Sequence, residues 1–228
     1  MRIDIGEKVL QENAKVAAEL RAMLTERGIV CVNLIGSPGS GKTAILERTL
    51  ANLRETPYHV AVLTGDIQTD ADAQRLSRYG FPARQITTGG ACHLDARMVL
   101  RGMDGWDTDQ IDLLLIENVG NLVCPTSYDL GEEAKIVVLS VTEGEEKPLK
   151  YPGIFFRSAL MLMSKCDLLP YVPFDPELAA RNARTIHPEI EVVRLSASSG
   201  EGFGEWMQWL HRRLSKTCVS VSSGTARR

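Results

Sequence analysis

The sequence predicts an α/β protein, a mostly parallel sheet with helices on both faces. Two observations predict it. Short apolar runs such as Ile29–Ile35, Ile111–Ile116 and Ile136–Val141 alternate with stretches of helical spacing. Parallel strands need crossovers of this kind, and sheets buried on both faces read as near-continuous apolar runs. In addition, each polar motif falls just after an apolar run. That is the carboxyl end of a strand, where ligands sit in such sheets.

At 228 residues the chain suits one domain with a substantial core. Its 44% hydrophobic and 24% charged fractions are those of an ordinary globular protein. A net charge of −3 argues against nucleic acid as a partner. No apolar run approaches the ~20 residues needed to span a bilayer, so no membrane partner is expected. The start, MRIDIGEKVLQENAK, has no apolar signal core. The expected location is therefore cytoplasmic, with the five cysteines reduced and serving as core residues or metal ligands.

Val9, Leu10, Val16, Ala17, Leu20, Met23 and Leu24 recur at helical spacing over residues 8–27, and Gly28 is a natural stop. Residues 1–28 are thus expected to be a helix packed on the domain. Strand Ile29–Ile35 follows, and then GSPGSGKT, which fits G-x-x-x-x-G-K-[ST] between a strand and a helix. Small residues let successive backbone N–H groups turn around a phosphate at the positive end of a helix. Gly36, Ser37, Pro38, Gly39, Ser40, Gly41, Lys42, Thr43 and Ala44 are the expected nucleotide contacts. Lys42 is placed to reach the β- and γ-phosphates and the Thr43 hydroxyl to ligate Mg²⁺. This is the signature of a P-loop NTPase, with its domain over residues 29–214.

His59–Thr64 reads as the second strand, ending at Gly65-Asp66. The polar stretch from Ile67 to Ala73 contains Asp70 and Asp72, which could approach Mg²⁺ or simply cap the next helix. Strand Pro82–Ile86 leads to TTGGACHLDA, a glycine-led helix entry in which Cys92 and His93 are adjacent. Thiolate and imidazole suit zinc, nickel or copper, although neighbouring residues seldom both face one tetrahedral ion unless the backbone is irregular, as a glycine-led loop allows. Strand Ile111–Ile116 ends in Glu117-Asn118-Val119-Gly120. A carboxylate there has the character of a Walker B residue near Mg²⁺ or the attacking water, and Gly120 N–H is placed to sense the γ-phosphate. Cys124 lies four residues on; as a lone cysteine it equally reads as a small buried hydrophobe.

The segment Thr142–Pro152 reads as an exposed loop. After strand Ala159–Met163 comes Ser164-Lys165-Cys166-Asp167, close to the guanine tetrapeptide [NT]-K-x-D. Asp167 would accept from guanine N1–H and N2–H₂, and the Lys165 stem would stack on the base. Serine at 164 removes an amide that usually braces the loop. Ser196-Ala197, after the last strand Ile190–Leu195, resembles the loop whose backbone N–H meets guanine O6. A closing helix is expected over Gly202–Leu214, and residues 215–228 are expected to be a mobile tail.

Taken together, GACHLDA (90–96), IENVGNLVCP (116–125), DLGEEAKIVVLSVTEGEEKPLKYP (129–152) and SKCDLLPY (164–171) resemble the HypB family of GTPases, which help insert nickel into [NiFe]-hydrogenase. The resemblance runs from the phosphate loop to Trp209. It implies GTP hydrolysis, a homodimer formed on GTP binding, and the partners HypA and the hydrogenase large subunit. It also implies a Ni²⁺ or Zn²⁺ site from Cys92, His93 and Cys124 at the subunit interface. Thr43, Asp66, Asp72 and Glu117 are implied for Mg²⁺ and hydrolysis, with Lys42, Asp66 and Glu117 as catalytic residues. Lys150 is implied to contact the neighbouring subunit's nucleotide. The chain carries neither the Cys-x-x-Cys-Gly-Cys nor the His-rich leader of some members.

Two alternatives remain at this level. A UreG-like urease-maturation GTPase would share fold, nucleotide and metal-linked dimer, but the LVCP and EKPLKYP segments fit HypB better. An ATP-dependent small-molecule kinase would need an arginine-rich lid, for which Arg97 and Arg101 are the nearby candidates. No arginine finger is assignable from sequence.

Overall fold

The computed structural model describes residues 5–66 and 71–222, with side chains for residues 7–66 and 71–215. The apolar runs form seven strands: β1 (Val30–Gly36), β2 (Val60–Asp66), β3 (Ala83–Thr87), β4 (Leu113–Glu117), β5 (Ala134–Ser140), β6 (Leu160–Ser164) and β7 (Glu191–Arg194). All pair in parallel, in the order β3-β2-β4-β1-β5-β6-β7. The phosphate-loop strand β1 therefore lies at the centre, between β4 and β5. The expected fold class is the observed one.

Alternation along the strands explains why both faces are covered. Val30, Val32 and Leu34 of β1 join Leu113 and Leu115 of β4 in one buried cluster. Helices α2 (Lys42–Leu53), α3 (Ala71–Ser77) and α9 (Phe203–Ser222) cover that face, contributing Leu46, Leu76 and Trp206. The intervening Cys31, Leu114 and Ile116 face α1 (Ile5–Glu26) and α4 (Ala96–Gly102). Further along the same face, α7 (Pro152–Arg157) and α8 (Pro176–Ile186) pack Ile154, Phe155 and Ala179 over β5 and β6. Side chains two residues apart on a strand share a face, so uniformly apolar runs are what such a sheet requires.

The structure departs from expectation in three places. The α1 stripe packs through Ala17, Leu20 and Leu24, while Val9 and Leu10 near its start are exposed. The segment expected to be only an exposed loop contains α6 (Lys147–Lys150) and the beginning of α7, each opened by a proline within the first two helical positions. Proline is tolerated there because its missing N–H has no intrahelical partner. Another short helix, α5 (Cys124–Ser127), likewise carries Pro125 at its start. Finally, α9 continues to Ser222 rather than ending at Leu214. Asp70, with the rest of residues 67–70, and residues 223–228 of the expected tail lie outside the described residues.

Candidate nucleotide and metal site

The carboxyl ends of β1, β2 and β4 open onto a cavity of about 530 Å³. Pro38, Gly39, Gly41, Lys42, Thr43 and Ala44 line one side, with Asp66, Asp72, Glu117 and Gly120 opposite and Lys165 at the end. Gly39 and Gly41 have φ of 74° and 97°, a region costly for other residues, which lets the loop curl before α2 begins. Gly120 is demanded by proximity instead: a Cβ there would lie 2.9–3.0 Å from Pro38.

Lys42 folds back over its own loop, donating to the carbonyls of Gly36 at 3.1 Å and Ser37 at 3.2 Å. Burial lowers its pKa, and Glu117 and Glu143 partly oppose that. Thr43 Oγ1 donates to Glu117 Oε1 at 2.8 Å. Burial pushes the Glu117 carboxyl up to about 7, against the pull of Lys42 and Thr43. Its other oxygen is buried with no hydrogen-bond partner. A hydroxyl, a half-satisfied carboxylate and two further aspartates line this cavity, and hard oxygen donors are the chemistry that suits Mg²⁺.

The loop after β6, expected to meet the base, is braced differently from expectation. Ser164 Oγ donates to the Ser40 carbonyl at 2.5 Å, so the hydroxyl ties this loop to the phosphate loop despite the missing amide. Lys165 adopts φ 60°, and its stem passes beside Gly41. Asp167 Oδ1 is buried without a partner, an acceptor awaiting donors. Ser196 N–H is engaged by the Glu201 carbonyl at 2.9 Å. Asp167, Ser196 and Ala197 do not line the phosphate-loop cavity; Ala197 borders a neighbouring cavity with Ala44, Arg48 and Ser198. Arg48 braces this loop through the Ala197 and Ser198 carbonyls.

Lys150 does not line the cavity; it is exposed and pairs with Glu146 at 2.9 Å. Lys147 approaches the phosphate loop instead, its Nζ 3.5 Å from Ser37 Oγ and 3.4 Å from Glu143. Arg75 also lines the cavity, bonded to Glu47 at 2.6 and 3.1 Å and to Asp72 at 3.3 Å. Sequence reasoning passed over both. Arg75 was accessible from its i,i+3 spacing to Asp72, which sets the two on one helix face.

At the end of the segment that follows Glu117 lies a second constellation. The ligand atoms of Cys92, His93 and Cys124 fall within 4.8 Å of one another. Cys92 Sγ is 2.7 Å from Cys124 Sγ and 3.8 Å from His93 Nδ1. Adjacent residues do face one point here, within a single chain, because the backbone before α4 is irregular. The His93 ring stacks on Tyr128 with centroids 3.7 Å apart. The hydrogen bond with Cys124 raises the Cys92 pKa, and burial lowers that of His93. Two thiols and an imidazole in its neutral form suit a borderline-soft ion such as zinc or nickel. Three ligands leave at least one position open.

Residues 30–194 match the family of the CobW/HypB/UreG nucleotide-binding domain. The chain belongs to this family. A hydrogenase maturation factor HypB from Azotobacter vinelandii is 51% identical over 210 residues, covering 92% of this chain and 69% of the relative. Among solved structures, HypB from Helicobacter pylori in complex with nickel has a TM-score of 0.85 at 37% identity, covering 90% of this chain and 96% of that one. HypB from Archaeoglobus fulgidus has a TM-score of 0.83 at 39% identity, over 90% and 99% of the two chains. Family membership accounts for the P-loop cavity and places the chain among nucleotide-binding proteins. Among the described residues, no helix is long and apolar enough to cross a membrane.

Proposed function

We propose that the chain is a GTP-hydrolysing nickel chaperone for [NiFe]-hydrogenase maturation, which binds and releases the metal through a GTP-dependent homodimer. One observation carries this reading: Cys124 of the Cys92–His93–Cys124 cluster lies seven residues beyond Glu117, on the segment that leaves the nucleotide cavity through Gly120. The nickel-bound HypB of Helicobacter pylori supports the cargo assignment.

In this reading Lys42 leaves its loop carbonyls for the β- and γ-phosphates. Thr43, Asp66, Asp72 and Glu117 would hold Mg²⁺, which supplies charge neutralisation at the β,γ-bridge when bound. Water attacks the γ-phosphorus, the bond to the β,γ-bridging oxygen breaks, and GDP and phosphate leave. Asp167 accepts from guanine N1–H and N2–H₂, which adenine does not offer together, and Lys165 covers the base. This favours GTP over the ATP of a small-molecule kinase. Hydrolysis removes the γ-phosphate near Gly120, the segment relaxes, and Cys124, which follows it, is moved relative to Cys92 and His93. The open ligand position is filled by a second copy in the dimer, where the exposed Lys150 leaves Glu146 to reach the neighbouring nucleotide. HypA and the hydrogenase large subunit are the proposed partners in transfer.

The test is a nickel titration of the reduced protein followed by thiolate-to-metal absorbance, with Mg²⁺ and either a non-hydrolysable GTP analogue or GDP. Wild type should bind one nickel per dimer with nucleotide-dependent affinity, and Cys124→Ala should lose it. Equal nickel affinity in both nucleotide states overturns the reading.

A further inference from the structure

Buried polar residues inside a parallel sheet are costly unless each is hydrogen-bonded. Asn33, in the middle of the central strand β1, is fully buried, and so nearly is Asn118, at 0% and 1% exposure. Neither is explained by packing. Asn118 follows Glu117 directly. Its Oδ1 accepts from the Leu94 N–H at 3.3 Å, the residue after His93, and from its own neighbour Val119 at 3.0 Å. Its Nδ2 donates to Asn33 Oδ1 at 3.2 Å. Asn33 Nδ2 donates in turn to Glu132 Oε1 at 3.2 Å, and Lys135 Nζ stands 2.7 Å from that same oxygen. Lys135 then donates to the carbonyls of Tyr128 at 2.6 Å and Pro125 at 3.5 Å. Tyr128 carries the His93 ring, and Pro125 adjoins Cys124.

The chain of bonds thus begins beside the carboxylate of the nucleotide cavity and ends on both segments that carry metal ligands. Coupling between sites travels through contiguous networks with discrete arrangements, and this network is contiguous and enclosed. Movement of Glu117 shifts Asn118, which cannot keep its bonds to Leu94 and Asn33 together unless both follow.

We propose that Asn118 is the positioning residue that couples the state of the nucleotide to the geometry of the Cys92–His93–Cys124 site, with Asn33, Glu132 and Lys135 extending the link to the Cys124 side. The proposal rests on the nucleotide-dependent metal binding proposed above. Asn118 needs no contact with the metal; it acts through the Leu94 backbone and Asn33.

The experiment measures the nickel dissociation constant with Mg²⁺ and a non-hydrolysable GTP analogue and again with GDP. Wild type, Asn118→Ala and Lys135→Met are compared, and thermal unfolding is recorded for each. Wild type should show at least about a tenfold ratio between states, or about 1.4 kcal/mol of coupling. Both variants should bring it within about twofold while still binding nickel and nucleotide separately. Because coupling is reciprocal, nickel should likewise stop changing the affinity for the GTP analogue. A ratio near one in wild type sinks the functional reading and this link with it, whereas the variants test the link alone. A wild-type ratio retained by a folded Asn118→Ala overturns the link; where that variant does not fold, retention by Lys135→Met overturns it.

Discussion

Ser164 Oγ donates a 2.5 Å hydrogen bond to the carbonyl of Ser40, joining the loop after β6 to the phosphate loop at a buried point. Serine takes over a role for which the tetrapeptide normally supplies an amide, and it does so with a shorter arm. Ser164→Ala removes the donor and leaves that contact of the Ser40 carbonyl unmade. A net loss of about 0.5–1.5 kcal/mol corresponds to roughly 2- to 13-fold weaker nucleotide binding. Titration with a fluorescent guanine nucleotide measures it. An unchanged affinity would mean the two loops are held in register by other contacts.

Asp167 has an oxygen buried with no partner, which is uncommon for a carboxylate unless a ligand supplies the missing donors. Asp167→Asn replaces an acceptor with a donor. Guanine, which offers N1–H and N2–H₂, should bind about 10- to 100-fold less well, the loss expected for a hydrogen bond to a charged group. Xanthine carries a carbonyl where guanine carries its amino group and should be bound better by the variant than by wild type. Competition between guanosine and xanthosine diphosphates decides the matter; an unaltered order of preference sinks the base assignment.

The sheet was readable because its strands are buried on both faces, so apolar runs such as Leu113–Ile116 carry no competing pattern. The phosphate loop and Glu117 were readable because their chemistry is local and ordered along the chain. Lys147 was not, because a four-residue helix after Glu146 turns it toward Ser37 while turning Lys150 outward to Glu146. Alternation and motif spacing do not register a single short turn. The Asn33–Asn118 bond joins residues 85 apart and exists only once β1 and β4 are paired. An asparagine inside an apolar strand was its sole trace in the sequence. The convergence of Cys92 and His93 depended on irregular backbone, which the glycines before them allow but spacing alone does not require.

Glu117 makes the protein without nucleotide and Mg²⁺ sensitive to pH in a definite direction. Its pKa rises from an ordinary 4.5 to about 7 on folding. Between those values the folded state holds a proton that the unfolded state has released. Stability contributed by this group is therefore present at low pH and falls as pH rises toward 7. Relative to Glu117→Gln, wild type should lose on the order of 3 kcal/mol between pH 4.5 and 7.5. Urea unfolding of both proteins across that range measures the difference. Mg²⁺ favours the ionised carboxylate, so binding of Mg²⁺-nucleotide near pH 6.5 should release a proton in wild type and not in the variant. Parallel stability curves for the two proteins would show that Glu117 ionises freely.

Gly120 packs against Pro38 so closely that a single methyl group has nowhere to go: its Cβ would meet Pro38 Cγ at 2.9 Å and Pro38 N and Cα at 3.0 Å. The neighbours are ring and backbone atoms rather than the end of a flexible side chain. Gly120→Ala must therefore push the segment after β4 away from the phosphate loop. The backbone of Gly120 does not have a positive φ, so the penalty comes from contact and not from conformation. Overpacking of this kind costs about 1–3 kcal/mol. The variant should fold with reduced stability and should still bind GDP, whose phosphates end before the displaced segment. It should bind a non-hydrolysable GTP analogue at least about tenfold less tightly than wild type, because the extra phosphate belongs where Gly120 N–H no longer reaches. Comparing the two affinities separates this from general weakening. Equal losses for both nucleotides would place Gly120 in the packing of the loop and remove it from γ-phosphate recognition.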